Sequence, residues 1–407
     1  MMLLLLALIY LAFISLGLPD AVLGSSWPVI SQDLSTSLDA AGFVAVIVSA
    51  GTVISSLAAT RIIQRFGTGK VVAVSVLMTA AALLGFTSAN YLFVLVLLAV
   101  PLGLGAGAVD AALNNFVALH YKSKHMNYLH SFWGVGATTG PLIMATYLAV
   151  NGGWREGYAV LSAIQFALVI VLFATLPLWK KAITPTVSQE EESSSTAMIS
   201  NRTALKIKGV KLQMLVFCCY CSLEAGTGLW AASYLTTEKG MLASDAAFWT
   251  AMYFLGITIG RFLCGMIADR FDEAKMIRYG AVIILLGVIG VLAPLPMVLN
   301  QWSLVLIGLG CAPIYPNTIH LTPKRFGAHA SQAVIALSMA TAYTGTTLVP
   351  PMMGFALDTL SFAYFPFILL LLSGVMLALS EKLNAFGSKT NADKNSTNEA
   401  QMGAESM

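Results

Sequence analysis

The chain has 407 residues, of which 57% are hydrophobic and 10% charged, with 22 Lys and Arg against 19 Asp and Glu. Soluble globular domains carry about 25% charged residues, so this composition excludes an ordinary soluble enzyme. The near-neutral balance also excludes nucleic-acid binding by a basic surface.

About 20 apolar residues suffice to cross a bilayer as a helix. Apolar segments of that kind run over 3–30, 41–62, 71–89, 91–119, 127–149 and 157–179. They resume over 212–236, 246–268, 275–295, 301–322, 330–356 and 362–380. The fold class is therefore an all-α membrane protein with twelve transmembrane helices in two six-helix bundles. The predicted units are residues 1–179, a cytoplasmic linker over 180–211, a second bundle over 212–383 and a flexible tail over 384–407. The first span lacks a basic leading region and a cleavage site, so it reads as an uncleaved helix.

With the N-terminus inside, 19 of the 22 Lys and Arg fall in cytoplasmic loops, linker or tail. Arg155 and Lys239 fall outside, and Arg261 lies within span 8. This asymmetry predicts a multi-pass protein of the plasma (inner) membrane with both termini cytoplasmic. The linker, with Glu190 to Glu192 and Ser193 to Ser195, has the composition of a solvated connector.

The halves repeat one another. Shifts of 203, 205 and 209 residues lay Trp27 on Trp230, Gly51 on Gly256, Arg65 on Arg270, and Gly136 and Pro141 on Gly345 and Pro350. Parallel repeats of this kind suit two bundles that rock about a site between them.

A carboxylate or guanidinium within a span costs at least about 2.5–3.5 kcal/mol at the bilayer centre and needs a reason. Asp110 and Glu224 lie near mid-span, roughly 14 and 18 Å by helical rise from the ends of their helices. Asp20 lies nearer the outer third, and His130 and Arg261 nearer the cytoplasmic surface. Each acid reads either as a proton-coupling group or as a hydrogen-bonded brace. Asn114 is one turn from Asp110 and offers an amide suited to hydroxyl groups. Trp27, Trp133 and Trp230 suit either stacking on a sugar ring or anchoring at a membrane interface. Tyr315 beside Pro316 suits a pocket wall at a break in span 10. His130 reads as a proton relay or a polar cap. Gly103, Gly105 and Gly107 within span 4 suit close helix packing rather than a nucleotide loop. Cys218 and Cys221 lie on a membrane helix without the context of a redox or metal motif. No cofactor is expected.

The segment Gly265, Ile267, Ala268, Asp269, Arg270 and Phe271, preceded by Gly260 and Arg261, resembles the loop motif of the major facilitator superfamily. The first-half copy around Arg65 departs from it at Thr60 and Gln64. Asp110 and Asn114 after a glycine-rich turn, His130 to Gly134, Glu224 before Trp230, and Tyr315 with Pro316 resemble the fucose permease branch. The resemblance implies a secondary transporter, a proton-coupled symporter of a sugar or similar small polar solute, with sodium as the other candidate ion. It implies coupling at Asp110, Glu224 and Asp20, solute contacts from Asn114, Trp133, Trp230, Tyr315 and Trp27, and gating by Arg65, Arg261, Asp269 and Arg270. Arg261 is expected to pair with Asp269 or a neighbouring carboxylate. A monomer in the lipid bilayer, and not an enzyme, is the expected form. Proton-linked efflux is the alternative, suggested by Gly136, Gly140 and Pro141 in span 5.

Overall fold

Proline and glycine decide where these helices bend and how closely they approach. The computed structural model describes residues 2–121, 123–150, 153–182, 199–267 and 270–405, and every regular element among them is helical. Span 1 is built from α1 (Met2–Asp20) and α2 (Val22–Asp33), which part at Ala21, two residues after Pro19. Spans 2 to 5 are α3 (Ala40–Phe66), α4 (Thr68–Thr87), α5 (Leu92–His120) and α6 (Ser123–Ala149). Span 6 is α7 (Trp154–Ala174), continued by the short α8 (Leu176–Ala182). After α9 (Asn201–Ala204) come α10 (Val210–Thr237), α11 (Ala243–Ile267) and α12 (Glu273–Leu292), which are spans 7 to 9. Span 10 is α13 (Met297–Cys311) with α14 (Ile314–Phe326), span 11 is α15 (Ala328–Thr359), and span 12 is α16 (Phe365–Glu405).

Among the described residues, eleven of the twelve crossings are long and apolar enough for a membrane on their own. The other, α6, is diluted by His, Gly, Thr and Tyr residues and is held instead by its neighbours.

Three expected details differ. Span 10 breaks at Ala312 and Pro313, one turn before Pro316, because Pro316 falls in the first turn of α14, where no backbone donor is needed. The later part of the expected linker packs against the second bundle on one side and stays exposed on the other. Ala204 and Val210 are fully buried against Ala330, Ala333 and Val334 of α15, because Ile199, Ile207 and Met214 give it an apolar side. Residues 183–198 of that linker lie outside the described residues. Finally, α16 runs on through Glu405, since no proline interrupts the helix beyond position 383.

The repeat seen in the sequence is a repeat of packing. In the first half α1 pairs with α6 and α3 with α5; in the second α10 pairs with α15 and α11 with α13. The glycines explain the closeness. A Cβ on Gly136 or Gly140 of α6 would stand 2.0 Å from the carbonyl oxygen of Ile14 or Leu18 of α1. From the other side, one on Gly17 would stand 2.2 Å from the Trp133 oxygen. On α5, Cβ atoms at Gly103 and Gly107 would meet the Val48 and Thr52 oxygens of α3 at 2.2 Å. Small residues thus replace a hydrophobic driving force with backbone contact, as membrane interiors require. Gly136→Leu is expected to cost more than the about 1–3 kcal/mol of ordinary overpacking, since backbone rather than side chain must give way. A several-fold loss of monodisperse protein in size-exclusion chromatography, with a milder loss for Leu at the open Gly265, checks this.

The halves meet along α6 and α11, α3 and α15, and α2 and α10. At the face opposite the N-terminus the contact is again backbone on backbone. A Cβ on Gly24 would lie 2.4 Å from the Gly228 oxygen, and one on Gly42 2.8 Å from Pro351 Cα. Large apolar side chains such as Leu3, Leu57, Phe93 and Ile170, 71–81% exposed, cover the perimeter. The polar groups described next lie between the halves.

Candidate functional site

Pro19 cannot donate a backbone hydrogen bond, and α1 ends one residue later at Asp20, where a break at Ala21 separates it from α2. The glycine seam brings α6 close, and Trp133 donates its indole N–H to Asp20 Oδ2 at 2.6 Å. The indole face is covered from the other half: the Arg261 guanidinium of α11 lies 5.2 Å from the Trp133 ring centroid. A guanidinium over indole is an attractive arrangement worth more when partly desolvated. Arg261 also faces Glu224 of α10, with Nη2 3.8 Å from Oε1, both side chains less than one-fifth exposed. Tyr220, one turn before Glu224, donates its hydroxyl to Oε2, and Tyr253 donates to the Glu224 backbone oxygen at 3.1 Å. Asp20, Trp133, Arg261, Glu224 and Tyr220 therefore form one chain of polar contacts across the boundary between halves.

A second polar group lies on α5. Asn114 donates Nδ2 to Asp110 Oδ1 at 2.9 Å and to the Asp110 backbone oxygen at 3.0 Å. The amide donors are thus turned to the acid, leaving the Asn114 carbonyl oxygen as its outward acceptor. Asp110 is within electrostatic reach of Asp20 in its own half and of Tyr315 and Tyr343 in the other. Tyr315 lies tilted against Phe217, ring centroids 5.0 Å apart, and donates to Met339 Sδ at 3.2 Å.

Access is one-sided. Asp20 is solvent-accessible, and Tyr343 is 39% exposed. At the opposite face Trp27 and Trp230 are 0% exposed. Trp230 donates Nε1 to the Pro350 oxygen at 2.8 Å, and its ring lies against Gly354. In this conformation neither ring offers a face to a solute; both belong to the closed end. The exposed Asp20 and Tyr343 and the buried Trp27 and Trp230 put the accessible side of the polar groups towards the face that carries the N-terminus.

Other sequence expectations fall apart spatially. Arg65 is exposed and stacks on Phe66 at 5.4 Å, and Arg270 is exposed at the end of α11. Asp269 lies outside the described residues. Among the described residues the carboxylate that pairs with Arg261 is Glu224 of the neighbouring helix α10. His130 is half-buried, edge-on to Phe13 at 5.9 Å, outside the polar chain. Tyr220, Tyr253 and Tyr343 were not anticipated. The spacing of Tyr220 and Glu224 was available as a one-turn pair; the other two are brought in by packing alone.

The chain matches the Major Facilitator Superfamily family model over residues 9–332 and 214–400. Among curated relatives it is 22% identical over 360 residues to the glucose/mannose transporter GlcP of Bacillus subtilis, covering 86% of this chain and 87% of that one. It is 23% identical over 326 residues to a glucose/galactose transporter of Brucella abortus, covering 75% and 76%. It is also 23% identical over 401 residues to the Bypass of stop codon protein 6 of Saccharomyces cerevisiae, covering 90% and 79%. In fold it is similar to the nucleoside transporter NupG, with TM-score 0.72, 13% identity, and 94% and 98% of the two chains covered. Two repeated six-helix halves, a one-sided polar cavity between them and a family match over most of the chain lead to one assignment: the protein belongs to the Major Facilitator Superfamily.

Proposed function

We propose that the protein is a proton-coupled symporter that carries a sugar or similar hydroxylated solute by alternating access. The observation that carries this reading is the polar chain from Asp20 and Trp133 of one half to Arg261, Glu224 and Tyr220 of the other. A bundle interior keeps ionisable groups only at a cost, and these are gathered where two rocking bodies meet. The sugar transporters among the relatives support a hydroxylated solute.

In this reading Asp110 takes up the proton, with Asp20 and Glu224 as further carboxyls of the pathway. The proton moves onto a carboxylate oxygen from solvent and leaves to solvent on the other side. Neutralising Asp20 weakens its claim on the Trp133 N–H; neutralising Glu224 frees Arg261. Either event changes the contact between halves, so protonation and rocking are linked as differential stabilisation of two states. Solute hydroxyls would meet the Asn114 carbonyl oxygen, Trp133 and Tyr315. Trp27 and Trp230 act in closing the far end, and become solute contacts only in a state open to that side. Arg65, Asp269 and Arg270 retain a gating role at the loops. The distribution of Lys and Arg supports cytoplasmic termini in a plasma (inner) membrane, so the cavity described here faces the cytoplasm.

Reconstitution in liposomes with an internal pH dye tests this. A gradient of a transported monosaccharide is expected to drive proton movement in the wild type. Asp110→Asn is expected to lose proton movement while retaining solute exchange. Sugars that move no protons, coupling by sodium alone, or normal coupling in Asp110→Asn would each defeat the reading. The glycines that suggested efflux are occupied in the seam between α1 and α6.

A further inference from the structure

The proline in α1 leaves one backbone group to account for. In a helix the N–H of residue 19 would bond to the carbonyl of residue 15, and Pro19 has none. The Ser15 carbonyl is nevertheless satisfied. Gln165 of α7, 1% exposed, donates Nε2 to the Ser15 oxygen at 2.8 Å. Its Oε1 accepts from Thr79 Oγ1 of α4 at 2.8 Å, and Thr79 also contacts the Val76 oxygen at 2.9 Å. One buried amide thus ties three helices together beside the turn that Pro19 interrupts. A small cavity of about 10 Å³ lined by Ser15, Pro19, Thr79 and Gln165 gives this turn room to relax if the amide is removed. On the opposite side of α1, Gly17 rests on the Trp133 backbone, and Asp20 receives the Trp133 indole N–H. The position of the Asp20 carboxylate is therefore set by the glycine seam on one side and by Gln165 on the other.

We propose that Gln165 is a positioning residue for Asp20, supplying the hydrogen bond that Pro19 withholds from Ser15 and so holding the last turn of α1, from which the carboxylate meets Trp133. This rests on the proposed part of Asp20 in coupling. Gln165 touches neither solute nor the polar chain; it acts through the backbone of α1. A buried amide is retained here because a proline-broken helix in an apolar interior has no water to satisfy its freed carbonyl.

A double-mutant cycle in the full-length protein tests the backbone claim. Gln165→Leu is expected to lower the midpoint of thermal unfolding by about 2–4 °C, since a buried carbonyl and the Thr79 hydroxyl lose a partner. Combined with Pro19→Ala, which returns a backbone donor to Ser15, the same change is expected to cost less than half of that. A merely structural role would not reach Trp133. The emission of Trp133, taken as the difference from Trp133→Phe, is expected in Gln165→Leu to move towards its value in Asp20→Asn, and the pH profile of uptake to move with it. An equal loss of stability with and without Pro19, or Trp133 emission unchanged in Gln165→Leu, overturns the proposal. If Asp20→Asn itself leaves uptake and its pH profile as in the wild type, the coupling role of Asp20 falls. The stability cycle and the Trp133 emission still decide the role of Gln165.

Discussion

Replacing Arg261 with methionine is expected to reduce net uptake at least about 100-fold, which corresponds to roughly 2.7 kcal/mol at the limiting step. Arg261 touches both a carboxylate of its own half, Glu224, and an indole of the other half, Trp133. Removing it leaves Glu224 among Tyr220, Tyr253 and apolar neighbours without its cation. Breaking a buried pair from one side costs about 3–5 kcal/mol, whereas replacing both partners is often neutral. Arg261→Met is therefore expected to unfold at lower temperature than wild type, and the further change Glu224→Gln to restore most of that stability. Transport is expected to stay lost in the double variant, because the link to Trp133 is not rebuilt. Arg261→Lys keeps a point charge near Glu224 but lacks the planar group that covers the indole. It is expected to keep stability better than uptake. Uptake within about threefold of wild type in Arg261→Met would show that the inter-half contact is dispensable.

Gly24→Val is expected to lower uptake by at least about tenfold for a different reason. The added Cβ would stand 2.4 Å from the Gly228 oxygen and 2.7 Å from Leu229 Cα, both backbone atoms of the other half. Neither can swing aside as a side-chain end would, so α2 and α10 are pushed apart and the far end cannot close as it does here. Each helix can still pack within its own half, so the protein is expected to remain folded. To shift a two-state equilibrium from 1:99 to 99:1 takes about 5.5 kcal/mol, and a backbone clash of this kind is of the right order to drive much of that change. Quenching of Trp27 and Trp230 by acrylamide is expected to rise, since both are 0% exposed in the closed arrangement. Unchanged quenching together with normal uptake would mean that Gly24 is not at a working closure.

How much of this was legible beforehand can be argued from particular residues. Asp20, Trp133, Glu224 and Arg261 were each conspicuous alone, because charge and indole are uncommon inside apolar helices. That they form one chain was not legible, since they come from four helices spaced over 240 residues of sequence. Asn114 was expected to face a solute through its amide. Its donors instead reach the acid one turn earlier, a choice set by a side-chain rotamer that spacing does not reveal. Trp27 and Trp230 matched one another in the repeat. Their burial at the closed end depends on which way the two bundles are tilted, a property of the whole molecule. Gln165 carried no signal: a lone glutamine in an apolar run acquires meaning only beside the carbonyl that Pro19 leaves free.

Low charge, the length of the apolar runs, the repeat between halves and the crowding of Lys and Arg on one side are properties of the chain itself. They determine the number of crossings and the two-bundle plan, because a bilayer admits so few ways to satisfy a backbone. Pairing of the helices was half-written in the glycines, whose missing Cβ atoms allow contact but do not name a partner. What only the tertiary structure decided is which charge meets which ring, which end is closed and which amide repairs which proline. Those outcomes depend on distances of two to four ångströms between helices far apart in sequence. A pattern of residue types specifies such distances only after all twelve helices have packed.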